Sequence, residues 1–398
     1  MTAISAVPAD FRGTDKGHAV LEKLLEFIHS EVIPLEQEAG LRWGDTVPKD
    51  LLQKVWKMSA DAGHYTLLLP EELGGAGLCL RDVVAVKEAA IRSGSILAMH
   101  VQGELSGPPR IGHLFKAASP DQVEQFLIPV CRAEKAVCFA LTEPDSGSDA
   151  VSIQTSAVRE GDYYVLNGYK RFISGAPYAD FAIVMALTTP GAGAKGISAF
   201  FVDLHAEGCE VRADYDVLSA QKSHADLIFD NVKVPAANLI GEEGAGFYLG
   251  MARITLNRLL HCATMLGYAQ LALDQSIAHA TARSQFGRPI GSFQAIQHML
   301  ADMATELYAS RSMMFDAADR HDQGHDIRME SSMCKVNTAE TAFSVVDRAV
   351  QVHGGKGLVQ GSLPEYLFRF IRMYRIVTGT SEIQRNTIAK QLLKPGKN

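Results

Sequence analysis

No stretch of the chain reaches the roughly 18 consecutive apolar residues of a membrane-spanning helix, which excludes a helical membrane protein. Like charges never gather in a run of five or more, and 38 basic against 45 acidic residues leave a net charge of −7. A broad nucleic-acid or anionic-membrane footprint is therefore not expected, although a phosphate-bearing ligand can still bind locally. Cysteine is sparse: Cys79, Cys131, Cys138, Cys209, Cys262 and Cys334 show neither paired nor metal-type spacing. That argues against disulfides and against a metal site, and fits a reducing compartment such as the cytoplasm. Residues 1–15 contain acids and lack the apolar core of a leader, so the chain is expected to be unprocessed. Internal repeats and low-complexity segments are also missing.

What is present is length and a change of period. With 398 residues, 47% of them hydrophobic, the chain is too long for one core and should form two or three packed units. Helical spacing runs through the first part, as in Leu21, Leu24, Leu25, Ile28 and Val32, then Leu51, Val55 and Met58, with breaks at Gly63 and residues 70–77. Between residues 137 and 234 the pattern becomes short β-branched and aromatic runs, predicted as strands at 137–141, 153–158, 163–166, 181–187, 197–202 and 227–234. Gly161-Asp162 and Asn167-Gly168 are read as turns between them, implying an antiparallel barrel or sandwich. Beyond Gly244 the helical period returns, with Phe293, Ile296, Leu300, Met303 and Leu307 on one face and Val336, Phe343, Val346 and Val350 on another. The expected domains are 1–134 (helical), 135–243 (β) and 244–398 (helical bundle).

The most informative segment is residues 141–150, in which an apolar strand runs into Thr142-Glu143-Pro144 and then a Ser/Gly/Asp loop. Such a loop offers backbone N–H groups and small hydroxyls to a bound group. The segment resembles the flavin-contacting signature of the acyl-CoA dehydrogenase family, and four further segments follow in that family's order. They are residues 168–176, with Phe172 and Ser174; Arg283-Ser284-Gln285-Phe286-Gly287 with Gln294; Gln351 to Gly357; and residues 377–385, with Thr380 and Glu382.

The resemblance implies the family's fold, in which two helical domains flank a β-domain, and FAD as cofactor. It places Leu141 and Thr142 on the flavin ring, Phe172 over one flavin face and Ser174 at flavin N5. Arg283, Phe286 and Gln294 go to the flavin pyrophosphate of a neighbouring subunit, Gln351 and Gly355 to its adenine side, and Thr380 and Glu382 to further flavin contacts. Ser148, Asn257, Arg258, Thr378 and Gly379 fall at substrate positions, Arg258 near the nucleotide of CoA, with Arg253 one and a third turns before it. Because the cofactor site is shared between subunits, a homotetramer, or at least a dimer, is implied, with an electron-transfer flavoprotein as electron acceptor.

One expected group is missing. Removing the α-proton of an acyl thioester needs a base, and the family keeps a glutamate either just before the C-terminal Gly-Thr or before the arginine of the first helix after the β-domain. Those places hold Thr378 and Asn257. Glu104 and His100, in a segment that lines the acyl pocket in the family, are the candidate bases, with His261, one turn after Asn257, as a third; Glu242 and Glu243 lie further off. The sequence thus points to α,β-dehydrogenation of an acyl-CoA. The alternatives are a flavin-dependent enoyl-CoA reductase, an eliminating or oxygen-using flavoenzyme, or a non-catalytic flavin- and CoA-binding subunit. Gly103 and Gly107 suggest room for a bulky acyl group.

Overall fold

The computed structural model describes residues 6–212 and 215–394. Helices α1 (Asp15–Phe27), α2 (Lys49–Asp61) and α3 (Leu80–Arg92) precede a seven-stranded sheet. Its strands are β1 (Val137–Ala140), β2 (Ser156–Glu160), β3 (Tyr163–Ser174), β4 (Phe181–Leu187), β5 (Ile197–Asp203), β6 (Cys209–Arg212) and β7 (His224–Pro235). Then come α4 (Gly246–Ala282), the short strands β8 (Ser284–Gln285) and β9 (Arg288–Pro289), and helices α5 (Gln294–Asp322), α6 (Arg328–His353), α7 (Leu363–Ile371) and α8 (Ser381–Leu392). The expected order of helical, β and helical segments is present, and no helix among the described residues is long and apolar enough to cross a membrane.

The chain folds into two compact units. The first gathers the chain up to Asp45, Leu78–Ala98 and everything from Thr255; the second takes Thr46–Gly77 and Met99–Ile254. Within the first unit, the α1 stripe of Leu21, Leu24 and Leu25 is fully buried, as its spacing predicts. Thr14 caps that helix by accepting a hydrogen bond from Gly17 N. A buried polar network crosses three helices: Arg311 Nε donates to Glu88 (2.7 Å) and its Nη2 to Gln270 (2.9 Å). At the same place Gly267 lets α4 close on α3, since a Cβ there would lie 2.6 Å from the Glu88 carbonyl oxygen.

Two predicted faces come out differently. On α6 the buried stripe is Ser331, Cys334, Lys335, Thr338, Ala339, Ala342, Val345, Val346 and Ala349, whereas Val336, Phe343 and Val350 are only half-buried. That stripe is built mostly of small and polar residues, so hydrophobicity alone does not mark it. On α5, Met303 and Leu307 are buried, but Phe293, Ile296 and Leu300 remain half-exposed at the start of the helix.

In the second unit the sheet runs β1-β4-β2-β3-β7-β6, with β5 on the other side of β4. It is mixed rather than wholly antiparallel: β1 pairs with β4 in parallel, and β2 joins β4 in parallel at Ser156. The chain leaves β1, forms the β2–β3 hairpin and only then returns to β1 through β4, which sets that orientation. Alternation along β4 feeds two cores. Phe181, Ile183 and Met185 pack with Ile111, Leu114, Phe126 and Leu127, while Ala182, Val184 and Ala186 pack with Tyr164, Leu166, Leu227 and Phe229. Gly161 makes the predicted turn, with φ 62°. Asn167-Gly168 does not: β3 continues through it to Ser174 as a bulge against β7. There a Cβ on Gly168 would lie 2.4 Å from Thr155 Oγ1, so the missing side chain serves close packing and not chain reversal. Strand β6 carried too little apolar alternation to be predicted.

Gly267→Ala is expected to destabilise the protein by about 1–3 kcal/mol through overpacking of α4 on α3. Chemical denaturation reads this directly; an unchanged unfolding midpoint would contradict the contact.

Candidate functional site

In the second unit, β1 ends into Leu141 and Thr142, and the signature loop is held from inside. Glu143 is an ion-pair partner of Lys170 on β3 (2.7 Å) and also accepts the backbone N–H groups of Gln154 (2.6 Å) and Thr155 (3.0 Å). Lys170, fully buried, donates a second bond to the Leu141 carbonyl (3.1 Å). Burial pulls the lysine down to about 8, and Lys170 together with the N–H donors holds Glu143 below the usual carboxylate range, so the pair is ionised at neutral pH. The next residue of β3, Arg171, donates its N–H to Thr142 O (2.8 Å), which sets Thr142 beside Phe172.

Phe172 has a left-handed backbone (φ 58°) and is half-exposed. That posture is maintained by the buried Asp226, which accepts Phe172 N–H (3.0 Å) and the hydroxyls of Tyr215 (2.6 Å) and Tyr169. The ring leans on Tyr215 at 4.9 Å, and the Arg171 guanidinium lies 5.0 Å from its centroid. Among the described residues neither the Thr142 nor the Ser174 hydroxyl has a hydrogen-bond partner, so both are available to a bound group. An aromatic face, two unengaged hydroxyls and the backbone at Leu141 and Thr142 fit the isoalloxazine of FAD. Ser148 lies exposed on the outer part of the loop.

In the same unit, His100 is buried with its Nδ1 unpaired, and burial pushes the imidazole down to about 4. Glu104, half-buried, acts electrostatically on both His100 and Arg110. The room expected at Gly103 and Gly107 is occupied. A Cβ at Gly103 would lie 2.8 Å from the Tyr65 ring, and one at Gly107 2.5 Å from the Tyr65 hydroxyl, so these glycines admit Tyr65 and not a bulky ligand.

The first unit holds Asn257 and Thr378, the two places where a glutamate is expected from the resemblance. Asn257 is buried on α4, and one turn on, His261 Nδ1 shares a 3.0 Å hydrogen bond with Thr378 Oγ1. Tyr374 meets the imidazole edge-on at 5.4 Å. Thr378 and Gly379 both have positive φ (55° and 87°). Their carbonyls are secured by Gln384 Nε2 (3.0 and 2.9 Å), and Gly379 O also by the buried Lys335 (2.9 Å), whose ammonium burial lowers to about 8. Thr380 caps α8 by accepting Ile383 N–H (3.2 Å), and Glu382 sits exposed in the first turn, lowered by the N–H donors there. Arg258 donates to Ser332 (3.1 Å).

Arg283, Gln294, Gln351 and Gly355 are all exposed. Arg283 leads into the β8–β9 hairpin, whose turn residues Phe286 and Gly287 both have positive φ, and Phe286 is 93% exposed. An aromatic side chain carried so far into solvent on a tight hairpin suits contact with another surface. Lys170, Asp226, Tyr215, Lys335 and Gln384 were not singled out from sequence. Lys335, a lone cation inside the helical period of α6, was the available signal.

Family models described as the N-terminal, middle and C-terminal domains of acyl-CoA dehydrogenase match residues 14–134, 138–232 and 244–393. The chain is 38% identical over 381 residues to the 3-(aryl)acrylate reductase of Clostridium sporogenes, spanning 95% of this chain and 98% of that protein. It is 36% identical over 368 residues to the caffeyl-CoA reductase-Etf complex subunit CarC of Acetobacterium woodii, spanning 92% and 94% respectively. The solved structure of butyryl-CoA dehydrogenase from Megasphaera elsdenii is similar with a TM-score of 0.86 at 28% identity, over 97% of this chain and 100% of that one.

Glu143→Ala leaves Lys170 buried without its counter-ion and is expected to cost about 3–5 kcal/mol of stability. Replacing both partners, Glu143→Leu with Lys170→Met, is expected to recover much of the loss in denaturant unfolding.

Proposed function

This chain belongs to the acyl-CoA dehydrogenase family, and from that premise we propose that it oxidises an acyl-CoA thioester across its α,β bond and hands the electrons to an electron-transfer flavoprotein. As a family member it is an oxidoreductase acting on CH–CH bonds, with FAD as cofactor. When bound, FAD supplies hydride exchange with the substrate β-carbon. Leu141, Thr142, Phe172 and Ser174 hold and orient the ring, and the Ser174 hydroxyl donates toward N5. Thr380, Glu382, Gln351 and Gly355 are proposed further cofactor contacts, and Ser148, Arg258 and Gly379 substrate contacts. The exposed hairpin of Arg283 and Phe286, with Gln294, is proposed to reach the cofactor of another copy in a homotetramer.

The observation that carries the reading is the His261–Thr378 hydrogen bond. It puts a titratable group at the side chain that stands where the family keeps a glutamate, one helical turn from the other such place at Asn257. Nδ1 is thereby committed to Thr378. We assign the proton transfer to His261 in preference to Glu104, which faces Arg110, and His100, whose burial leaves it weakly basic. In oxidation the imidazole takes the α-proton as the β-hydride departs. In the reverse direction the imidazolium returns it.

A specific observation favours a second reading, enoyl-CoA reduction. The observation is the His261–Thr378 pair itself: an imidazole can hand a proton to the substrate α-carbon as well as take one from it. The two relatives named above are reductases, and the electron-transfer partner is carried over from the Etf complex of one of them.

Anaerobic titration of the holoenzyme with saturated acyl-CoAs is expected to bleach the oxidised-flavin absorbance. If none does so while enoyl-CoAs reoxidise the reduced protein, the reductase reading replaces the first. His261→Ala is expected to slow either reaction about 10²–10⁴-fold, with partial rescue by added imidazole. Unchanged rates would remove His261 from the chemistry. Thr378→Val should shift the His261 ring resonances in nitrogen-15 NMR, a readout independent of turnover.

A further inference from the structure

The second unit contains a cationic cluster that the chemistry above does not use. Arg253, on the first part of α4, lays its guanidinium 4.8 Å from the ring centroid of Phe139 on β1. Its Nε is enclosed without a hydrogen-bond partner, and no carboxylate among the described residues acts on it. The charged group that does act on it is Arg110, and together with burial this like charge lowers Arg253 to about 9. Arg110 donates Nε–H to Leu105 O (2.5 Å) and has Glu104 as its acidic neighbour. His113 completes the group: its Nε2 is unpaired, and burial and Arg253 push it down to about 3, so it is neutral at pH 7. Two guanidinium groups and one carboxylate leave one positive charge uncompensated. A bound anion of one negative charge corrects that imbalance.

The cluster adjoins the proposed reaction face. Ser106, four residues before Arg110, accepts the Val137 N–H at its carbonyl (2.9 Å) and donates its hydroxyl to Gly175 O (3.3 Å), fastening this segment beside Ser174. His224, registered opposite Ser174 on β7, feels the charge of Arg110. Phe139 lies two residues before Leu141, roughly 7 Å along the strand.

We propose that Arg253, with Arg110 and His113, is a subsite for a carboxylate at the far end of the acyl group, making the substrate the CoA thioester of a dicarboxylic acid. This rests on the acyl-CoA reading above. Stacking on Phe139 fixes the plane of the Arg253 guanidinium and leaves its edge to grip a carboxylate through two parallel hydrogen bonds. The neutral His113 adds a donor without adding charge. A phosphate of CoA offers the same anionic chemistry, and the test separates the two.

Calorimetric binding to the oxidised holoenzyme uses α,β-unsaturated thioesters, which cannot reduce it: glutaconyl-CoA against pentenoyl-CoA, and hexenedioyl-CoA against hexenoyl-CoA. The dicarboxylic member of at least one pair is expected to bind roughly 10²-fold tighter. Arg253→Gln should collapse that ratio, and Arg253→Lys should restore part of it. Equal affinities within both pairs overturn the proposal, as does an Arg253→Gln variant that weakens all thioesters and CoA itself alike, which assigns the arginine to a CoA phosphate. If the Gln variant does not fold, the wild-type ratio still decides. Failure of every thioester to bind while flavin is present overturns the acyl-CoA reading itself.

Discussion

The buried ion pair between Lys170 and Glu143 is the constraint on which the second unit's candidate site depends. A lysine with no exposure survives inside a sheet only if its charge is answered, and Glu143, at the start of the signature loop, answers it. The same ammonium holds the Leu141 carbonyl, and the same carboxylate gathers the N–H groups of Gln154 and Thr155. One pair therefore ties the end of β1, the loop after it and β3 together, and Thr142 and Phe172 inherit their positions from it. The glutamate of the Thr-Glu-Pro motif is thus an internal fastening.

The first unit solves a similar problem by similar means. Thr378, a non-glycine residue with φ 55°, occupies a conformation that costs about 1–3 kcal/mol and persists only where surrounding bonds over-determine it. Lys335 and Gln384 supply those bonds to the Thr378 and Gly379 carbonyls, and the Thr380 cap fixes the start of α8 immediately beyond. Phe172 in the second unit, with φ 58° and Asp226 beneath it, is the counterpart. Both strained residues fall where the family places functional contacts.

Asn257 and Thr378, at the two places where the resemblance expects a glutamate, are both built into this framework. The Thr378 hydroxyl is bonded to His261. The proposed proton carrier is therefore an imidazole held by Thr378 in place of a carboxylate. On the substrate side, Tyr65 fills the space left by Gly103 and Gly107, and the arginine cluster gives the second unit a charge preference that glycine spacing alone did not suggest.

Period and motif were enough for the succession of helical, β and helical segments, for the α1 core stripe and for strand β4 to the residue, because each depends on local spacing or on contiguous residues. Three kinds of feature were decided only by the tertiary structure. Parallel pairing of β1 with β4 and the bulge at Gly168 depend on partners distant in the chain, and Asn167-Gly168 reads as a turn until β7 is seen beside it. The buried face of α6 is rich in small and polar residues, and hydrophobicity does not report it. The pairings of Lys170 with Glu143, His261 with Thr378 and Arg253 with Arg110 join residues 27, 117 and 143 positions apart. A charge's partner, and hence its protonation and its use, is set by what folding brings within a few ångströms of it, and no local pattern carries that information.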